Sequence, residues 1–389
     1  MAVFGLVSSV AGFVKVRYLI DKAVIDNMVF RMHYRITSAI LFLCCILVTA
    51  NNLIGDPISC ISDGAVPTHV LNTFCWITYT FTLPTEKGLS HPAAGPVGLG
   101  THIDGEKRIH AYYQWVPFML FFQGLLFYIP HWIWKNWEEG KVRMISDGMR
   151  GTAATIADDK NNRLTRLVKY LVETRHMHNA YSFGYFLCEI LNFINVVGNI
   201  FFVDKFLGGA FLSYGSDVVK FSNMDQEQRN DPMIEIFPRL TKCTFHKYGP
   251  TGTIQTHDAL CVLALNILNE KIFIFLWFWF IILSVVTGLA LVYSAAVILL
   301  PSTRETILKR RFRFGTPTGV ESLVRKTQVG DFLLLHLLGQ NMSLRVFGEV
   351  LDELSRQLHM NSNAPSAPST LEMAPIYPNI DKYGKETET

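Results

Sequence analysis

Charged residues are scarce in this chain. Asp, Glu, Lys and Arg make up 17% of its 389 residues, whereas hydrophobic residues make up 50% and aromatic residues 13%. Soluble domains carry about 25% charged residues, so this deficit, with a mean hydropathy of +0.24, indicates a chain that is partly solvated by lipid. The formal net charge is only +3, which is too small to predict a nucleic-acid partner.

The sequence also lacks the short motifs that mark common active sites. It contains no G-x-S-x-G, no P-loop and no H-E-x-x-H sequence. The nearest approaches to a metal cluster are His176-x-His178 and the pair His246 and His257, and neither comes with the cysteine or carboxylate spacing of a known metal site. We therefore expect a protein that is not an enzyme, with no catalytic residue, no cofactor and no metal.

Four apolar stretches are long enough to cross a bilayer, which takes about 20 helical residues. They cover 36–54, 111–134, 181–203 and 272–300. In lipid the backbone must satisfy its own hydrogen bonds, so each stretch is expected to be a helix. The third stretch holds one acid, Glu189, which is a functional candidate, although a single acid between packed helices is often structural.

The basic residues near the spans predict which side of the membrane each loop faces. Nine Lys and Arg residues lie in the loop 135–180, and only three lie in 55–110. The loop 204–271 holds seven, but it is too long for them to weigh heavily in this rule. Both termini are therefore expected in the cytoplasm, with the loops 55–110 and 204–271 outside the cell.

Cysteine is missing from every segment that this topology places in the cytoplasm. Of the seven cysteines, three lie in predicted spans and two lie in each outer loop, namely Cys60, Cys75, Cys243 and Cys261. Oxidising surroundings favour disulfides, and gaps of 14 and 17 residues within the two loops are poor spacings for zinc ligands. Two disulfides are expected, and the residues alone leave three pairings open, two of which join the loops to each other.

Patterns outside the spans predict further elements. The stretch 69–83 suits a strand or a short helix, and 239–263 is typical of a β-hairpin with a Pro-Thr-Gly turn. Apolar residues recur at helical spacing in 163–173 and 320–358, which are expected to pack together as a helical cytoplasmic domain. The sequon Asn341-Met-Ser falls inside the cell in this topology, so we interpret it as a chance match.

The first 30 residues predict an amphipathic helix, because apolar residues recur there at spacings of three and four. Lys15 and Arg17 supply positive charge, and no acid precedes Asp21. Two positions are open to such a helix. The periodicity favours a helix lying in the membrane interface over one folded into the mouth of a pore.

Several runs of residues resemble the innexin family. The first is the family signature at the start of the second span, formed by Tyr112, Tyr113, Gln114, Trp115 and Val116. The others are VFRMHY at 29–34, IGDPISC at 54–60, FCWI at 74–77, CTFHKYGP at 243–250 and NEKIFIFLWFWFIIL at 269–283. In this order and on this topology they form a specific combination. The start MAVFGLVSSV and the tail, with SAPSTLEM and KETET, resemble the insect innexin-three type most closely.

The resemblance implies a subunit of a gap-junction channel in the plasma membrane. Family structure implies that innexins assemble into rings of eight subunits around a central pore, and that two rings from adjacent cells dock end to end to pass ions and small molecules. The implied partners are other innexins, in a homo- or hetero-oligomer, the docked hemichannel of the neighbouring cell and membrane lipids.

The resemblance also implies roles for particular residues. It pairs Cys60 with Cys261 and Cys75 with Cys243. It implies that the N-terminal segment folds into the pore mouth, whereas the periodicity alone favoured a helix lying in the membrane interface. The resulting pore-lining candidates are Met1, Ala2, Phe4, Lys15 and Arg17. The aromatic residues of the signature are interpreted as interfacial anchors rather than as a ligand site.

The expected fold is that of an all-α membrane protein. It has four transmembrane helices with cytoplasmic N- and C-termini, two disulfide-braced extracellular loops with short strands, and a helical cytoplasmic domain. The expected segments are an N-terminal pore-mouth helix and cytoplasmic lead 1–35, transmembrane helices 36–54, 111–134, 181–203 and 272–300, extracellular loops 55–110 and 204–271, a cytoplasmic loop 135–180, a cytoplasmic helical region 301–360 and a disordered tail 361–389.

Two other functions share this topology. One is an undocked, pannexin-like channel of the plasma membrane. Neither outer loop contains a glycosylation sequon, so one steric obstacle to docking is missing and the junction is favoured. The other is a four-span adhesion or scaffold protein of claudin or tetraspanin type, which has a shorter first loop or other cysteine motifs and lacks YYQWV.

Overall fold

The computed structural model describes residues 23–62, 64, 66–83, 107–146, 149, 157–222, 232–312 and 319–363. Its helices are α1 Met28–Ile54, α2 Thr68–Ile77, α3 Val116–Glu138, α4 Lys141–Ile145, α5 Ala157–Glu173, α6 Asn179–Phe206, α7 Phe211–Ser222, α8 Pro232–Ile236, α9 Leu265–Leu299, α10 Pro301–Arg311, α11 Val320–Lys326, α12 Val329–Asn341 and α13 Leu344–Asn363. Its strands are β1 Ser59–Ile61, β2 Thr80–Thr82, β3 Arg108–His110, β4 Leu240–Tyr248 and β5 Ile254–Val262.

Four of these helices, α1, α3, α6 and α9, are long and apolar enough to cross a membrane. They pack as a bundle in which α3 contacts α1 and α6, while α9 contacts α6 and α1. Large apolar side chains remain exposed on them, for example Phe118 (68%), Leu289 (66%) and Val292 (68%). Soluble proteins rarely expose so large a contiguous apolar surface to water, so these faces are suited to contact with lipid or with a neighbouring protein.

The first and fourth spanning helices begin before the apolar runs that predicted them. Helix α1 starts at Met28, where the Asn27 side chain accepts a hydrogen bond from the Phe30 N–H at 2.7 Å. Helix α9 starts at Leu265 and runs through Glu270 before the uncharged stretch begins. Both differences have one physical reason, because a charged residue ends an apolar run without ending a helix.

Helix α1 also contains an irregular turn. Residues Met32–Thr37 form a π-helical turn, in which the Thr37 hydroxyl donates to the Met32 carbonyl at 3.0 Å. The turn is held from α9, because Trp279 Nε1 donates to the Thr37 hydroxyl at 3.0 Å and His33 Nε2 lies 2.8 Å from the Thr287 hydroxyl. Such turns occur mostly as single irregularities within longer helices.

One end of the bundle carries a five-stranded antiparallel sheet with the order β1-β5-β4-β2-β3. The predicted hairpin is confirmed: β4 and β5 pair over their whole length around a turn in which Gly252 has φ +79°, a conformation that favours glycine. The stretch 69–83 was expected to form a strand or a short helix, and it forms one of each, since helix α2 is followed by strand β2. We call the described residues of 55–83, together with 107–115 and 232–264, the disulfide module.

The other end of the bundle carries the short helices α4, α5 and α10 to α13, which we call the helical domain. The expected packing of 163–173 against 320–358 is confirmed, because Leu167, Val168 and Leu171 of α5 share a core with Leu354 and Leu358 of α13. Spanning helices contribute Trp134 and Tyr181 to the same core, among others. The predicted disordered tail lies outside the described residues, apart from the last turn of α13.

Candidate functional site

Two disulfides join the first loop to the second. Cys60 of β1 is bonded to Cys261 of β5, which lies opposite it in the sheet, with Cα atoms 4.0 Å apart. Cys75 of α2 is bonded to Cys243 of β4, with Cα atoms 6.0 Å apart. These are the two pairs that the resemblance implied. All four cysteines are buried in one small core, so α2, β1 and the hairpin form a single braced unit.

The close approach of sulfur atoms in this core does not make a metal site. Sulfur atoms of Cys60, Cys75 and Cys261 lie within 4.8 Å of one another, which is a spacing that three metal ligands could have. However, each belongs to a disulfide, whereas metals are bound by the thiolate. The free cysteines are Cys44 and Cys188, both buried, and the partly buried Cys45.

The signature residues form a joint between the two loops and the second span. The Tyr112 hydroxyl donates to the Ile236 carbonyl of the second loop at 3.2 Å, and the Tyr113 hydroxyl donates to the Cys75 carbonyl of α2 at 3.1 Å. The roles of these residues follow from their burial. Tyr113 is fully buried, while Trp115 is 62% exposed beside the start of α3. Trp115 alone therefore has the exposure of an interfacial anchor, and the tyrosines are internal contacts.

Gln114 and Val116 complete this joint. Gln114 Nε2 donates to the Trp76 carbonyl and, at 3.3 Å, to the Ile77 carbonyl. Both carbonyls belong to the last turn of α2, where helical carbonyls have no partner within the helix. Val116 is fully buried and begins α3. The run YYQWV thus binds the free carbonyls at the end of α2, leads into α3 and holds both helices close to the disulfides.

A buried histidine lies next to the signature. His110 is the last residue of β3, is 2% exposed, and has its Nε2 atom 2.8 Å from the Thr82 hydroxyl of β2. Burial, with a smaller effect of the nearby Arg108, lowers the pKa of His110 from 6.5 to about 4. The imidazole is therefore neutral at physiological pH. Nothing in the spacing of the histidines marks this one as buried, so the sequence carries no signal for it.

Acidification is expected to destabilise the disulfide module through His110. The pKa is lower in the folded protein than in an exposed histidine, so the unfolded chain binds the proton first as the pH falls. The destabilisation is absent above pH 6.5, grows between pH 6.5 and about 4, and reaches about 2 kcal/mol near pH 5. His110→Gln, which cannot be protonated, should reduce the acid-induced fall in the thermal unfolding midpoint of the purified protein.

The control for this measurement is His69→Gln on the exposed side of α2. It should leave the pH dependence of the unfolding midpoint unchanged. If His110→Gln kept the full wild-type dependence between neutral pH and about pH 5, the proposed role of His110 would be wrong.

A buried carboxylate fixes the disulfide module on the bundle. Glu270 of α9 has a fully buried side chain, and both of its oxygens lie 3.1 Å from Arg239 Nη2. Lys271 Nζ lies 2.7 Å from the same carboxylate. Arg239 directly precedes β4, so the pair connects the hairpin to the fourth span. The side chains of Arg239 and Lys271 are partly exposed, so solvent weakens their attraction to the carboxylate, but the two charges leave the buried Glu270 compensated.

A second carboxylate joins the helical domain to the third span. Asp331 of α12 accepts a hydrogen bond from His178 Nδ1 at 3.0 Å, and its two oxygens lie 3.1 and 3.2 Å from the backbone N–H of His176. Burial opposes ionisation of Asp331, but the hydrogen bonds from His178, His176 and Gln328 outweigh it and hold the pKa of this carboxyl below its usual range. The His176-x-His178 pair is thus a contact between α12 and the turn before α6.

The other histidine pair is split by the geometry of the hairpin. His246 lies opposite Thr256, and His257 lies opposite Phe245. Neighbouring residue pairs of an antiparallel ladder point to opposite faces of the sheet. The two imidazoles therefore lie on different faces and do not converge on a common ligand.

Comparison with known proteins decides the family. The innexin family model matches residues 26–358. The chain belongs to the innexin family. It is 64% identical to innexin inx3 of Drosophila melanogaster, over the full length of both chains. It is 47% identical to innexin inx2 of the same species, over 91% of this chain and 96% of that one, and 42% identical to innexin shaking-B, also from D. melanogaster, over 87% and 91%.

Innexins are subunits of gap-junction channels, and so is this protein. It is a multi-pass protein of the plasma membrane, with four apolar helices of spanning length and two disulfides. Innexins are channel proteins, which fits the expectation that the chain is not an enzyme. The likeness to the insect innexin-three type is confirmed by the identity to inx3.

The intramembrane acid of this innexin is hydrogen-bonded to two other parts of the bundle. Glu189 of α6 is 6% exposed. Its carboxylate accepts hydrogen bonds from Asn27 Nδ2 at 2.5 Å and from the Ser294 hydroxyl of α9 at 2.6 Å. Glu189 therefore ties the residue that caps α1 to two other spans. Of the two interpretations that the sequence left open, these contacts favour a structural role.

The predicted pore-lining residues of this innexin are not among those that the structure describes. Met1, Ala2, Phe4, Lys15 and Arg17 all lie before residue 23. The described chain begins at the end of that segment, where residues 24–27 lead into α1. The structure therefore shows how the chain enters α1, through residues 23–27, but none of the predicted pore-lining residues.

Proposed function

We propose that the disulfide module of this innexin faces the extracellular space and that both termini and the helical domain lie in the cytoplasm. The two disulfides at one end of the bundle support this, since an oxidising exterior permits them and the cytosol does not. The opposite end carries the basic helix α10, with Arg304, Lys309, Arg310 and Arg311, and positive charge concentrates on the cytoplasmic side of membrane proteins.

The proposed assembly is a ring of eight subunits, made of this chain alone or with another innexin, around a central pore. The exposed apolar faces of the spans supply surface for lipid on one side and for neighbouring subunits on the other. Residues 1–19 fold into the pore mouth, where Met1, Ala2, Phe4, Lys15 and Arg17 face the permeating ions. The selectivity of the channel among permeating ions then depends on the pore diameter and on the charge at the pore mouth.

Docking between cells rests on one observation, that the hairpin extends beyond the strands that flank it in the disulfide module. The neighbouring strands attach near its base, where β1 pairs with β5 at Leu260–Val262 and β2 pairs with β4 at Lys242. At the far end, Tyr248 and Ile254 lie opposite each other and are 75% and 64% exposed. We propose that this tip contacts the same hairpin of a subunit in the opposed hemichannel.

Substitution of the hairpin tip tests this function. The double variant Tyr248→Ser with Ile254→Ser is expected to lower electrical coupling between paired cells at least about tenfold, because aromatic and aliphatic anchors at the centre of an interface dominate its affinity. Surface substitutions of this kind change folding stability by only about 0.5 kcal/mol. The amount of protein at the plasma membrane, measured by surface biotinylation, should therefore stay at the wild-type level.

Ile61→Ser is a matched control, because Ile61 is an apolar residue of β1 that is 66% exposed but lies away from the hairpin tip. It should couple cells as the wild type does. Wild-type coupling by the tip variant at equal surface expression would contradict docking through the hairpin. Loss of coupling together with loss of currents through undocked hemichannels would show a general channel defect rather than a docking defect.

A further inference from the structure

Four residues connect the N-terminal segment of the chain to α1, and we call residues 24–27 the root. The root is held at several points besides the bond from Asn27 to α6. The Ile25 carbonyl accepts a hydrogen bond from Trp134 Nε1 of α3 at 2.9 Å. Asp26 is 3% exposed and lies 2.8 Å from Arg31 Nε. Two spans therefore fix the root from the membrane side.

The helical domain binds the root from the other side through the side chain of Asn341, while Ile25 packs against the core shared by the spans and the helical domain. The Val24 N–H donates to Asn341 Oδ1 at 2.7 Å, and Asn341 Nδ2 donates back to the Val24 carbonyl at 2.8 Å. The side-chain amide thus pairs with Val24 as a backbone amide does in a sheet. The two residues are 317 positions apart in the chain, and asparagine is suited to this contact because its amide offers a donor and an acceptor together.

Asn341 is also firmly attached to its own domain. It is the last residue of α12, and its Nδ2 atom donates to the Leu337 carbonyl at 2.8 Å. The first turn of the same helix contains Asp331, which binds the turn before α6. A displacement of α12 is therefore transmitted to the root at one end and to the third span at the other. Asn341 therefore has a structural role in this contact, which is unrelated to glycosylation of the Asn341-Met-Ser sequon.

We propose that Asn341 is a positioning residue through which the helical domain sets the position of the N-terminal segment in the pore mouth. The proposal rests on the proposed function in one respect, namely that residues 1–19 lie in the pore mouth. The contact itself involves described residues only. Loss of the Asn341–Val24 hydrogen bonds releases the root from the helical domain while the bonds from Trp134 and to Glu189 remain.

Limited proteolysis measures the release of the root directly. Trypsin cleaves after Lys22, and the residues that follow must leave their contacts to enter the protease, so the cleavage rate follows the population of the released root. Asn341→Ala, in the full-length protein in nanodiscs, is expected to raise the rate of cleavage between Lys22 and Ala23 about tenfold. Mass spectrometry of the products identifies the cleaved bond.

Two further variants make this result specific. Asn341→Asp keeps the acceptor for the Val24 N–H but loses the donor to the Val24 carbonyl, so it should be cleaved faster than the wild type, at a rate closer to that of Asn341→Ala. Ser343→Asn abolishes the same sequon but leaves the contact intact, so it should be cleaved like the wild type. Faster cleavage of Ser343→Asn, or wild-type cleavage of Asn341→Ala, would overturn the proposal.

Recording from paired cells tests the link to the pore. Asn341→Ala, at equal surface expression, should change junctional conductance or its dependence on voltage by about twofold or more, because a released root no longer holds the segment in one position. Faster cleavage with unchanged electrical behaviour would overturn this link. A separate variant, Lys15→Glu, tests the underlying proposed function: unchanged charge selectivity would show that the segment does not line the pore, whatever the cleavage rates are.

Discussion

Replacing both cysteines of either disulfide with serine should abolish electrical coupling between paired cells. Each bridge links residues far apart in the chain, with separations of 201 for Cys60 and Cys261 and 168 for Cys75 and Cys243. Loss of a native disulfide costs about 2–5 kcal/mol, chiefly by freeing the unfolded chain. In this protein the loss also removes one of the two covalent links between the first loop and the hairpin that we propose as the docking surface.

The two disulfides are expected to differ in what remains after their removal. Without the Cys60–Cys261 bond, β1 still has its ladder to β5. Without the Cys75–Cys243 bond, α2 keeps only side-chain contacts, such as those of Tyr113 and Gln114. We therefore expect the Cys75→Ser, Cys243→Ser variant to lower surface expression more than the Cys60→Ser, Cys261→Ser variant does.

Cys45→Ser is the control for both variants. Cys45 is a free cysteine of α1, and its thiol donates to the Pro117 carbonyl at 3.3 Å, which a serine hydroxyl can also do. This variant should couple cells normally. If a double-serine variant of either bridge reached the surface and coupled cells as well as Cys45→Ser, the disulfides would not be needed for docking.

Gly330→Ala should strongly destabilise the helical domain. A Cβ atom at this position of α12 would lie 2.3 Å from the His178 carbonyl oxygen and 2.4 Å from its carbon. Both are backbone atoms of the turn before α6, so no side-chain rotation relieves the clash. Helix α12 would have to move away, which would stretch the hydrogen bonds that Asp331 accepts from His176 and His178.

The expected cost of Gly330→Ala is about 2–4 kcal/mol, from overpacking and from a weakened buried carboxylate. The thermal unfolding midpoint of the purified protein should fall by about 5 °C or more, and surface expression should fall with it. Because α12 also carries Asn341, the root should become more susceptible to trypsin in this variant.

Gly348→Ala is a matched control within the same domain. Gly348 lies in α13, and a Cβ atom there would be 3.5 Å from Phe312, which is an ordinary contact. Alanine favours a helix over glycine by about 1 kcal/mol, so this variant should be as stable as the wild type or more stable. Equal unfolding midpoints for Gly330→Ala and Gly348→Ala would show that α12 does not approach the turn so closely.

Much of the architecture was predictable from local patterns. Apolar length identified all four spanning helices. The first and fourth helices start earlier than predicted, because charged residues such as Arg31 and Glu270 continue a helix, and the second starts later, at Val116 rather than 111. The hairpin was marked by its turn, and the helical domain by periodic leucines on α5 and α13. Which residues are buried was harder to predict. Tyr112 and Tyr113 were interpreted as interfacial anchors, but they make internal contacts in the joint between the loops and the second span.

The sequence by itself determined the number of spans, the presence of cysteine pairs and the family, because hydropathy, charge and short motifs are properties of neighbouring residues. Only the tertiary structure decided that Asn341 binds Val24, that Gly330 touches the turn at His178, and that His110 is buried against Thr82. These contacts join residues distant in the chain, and they depend on the direction in which each helix or strand packs, which no local pattern specifies.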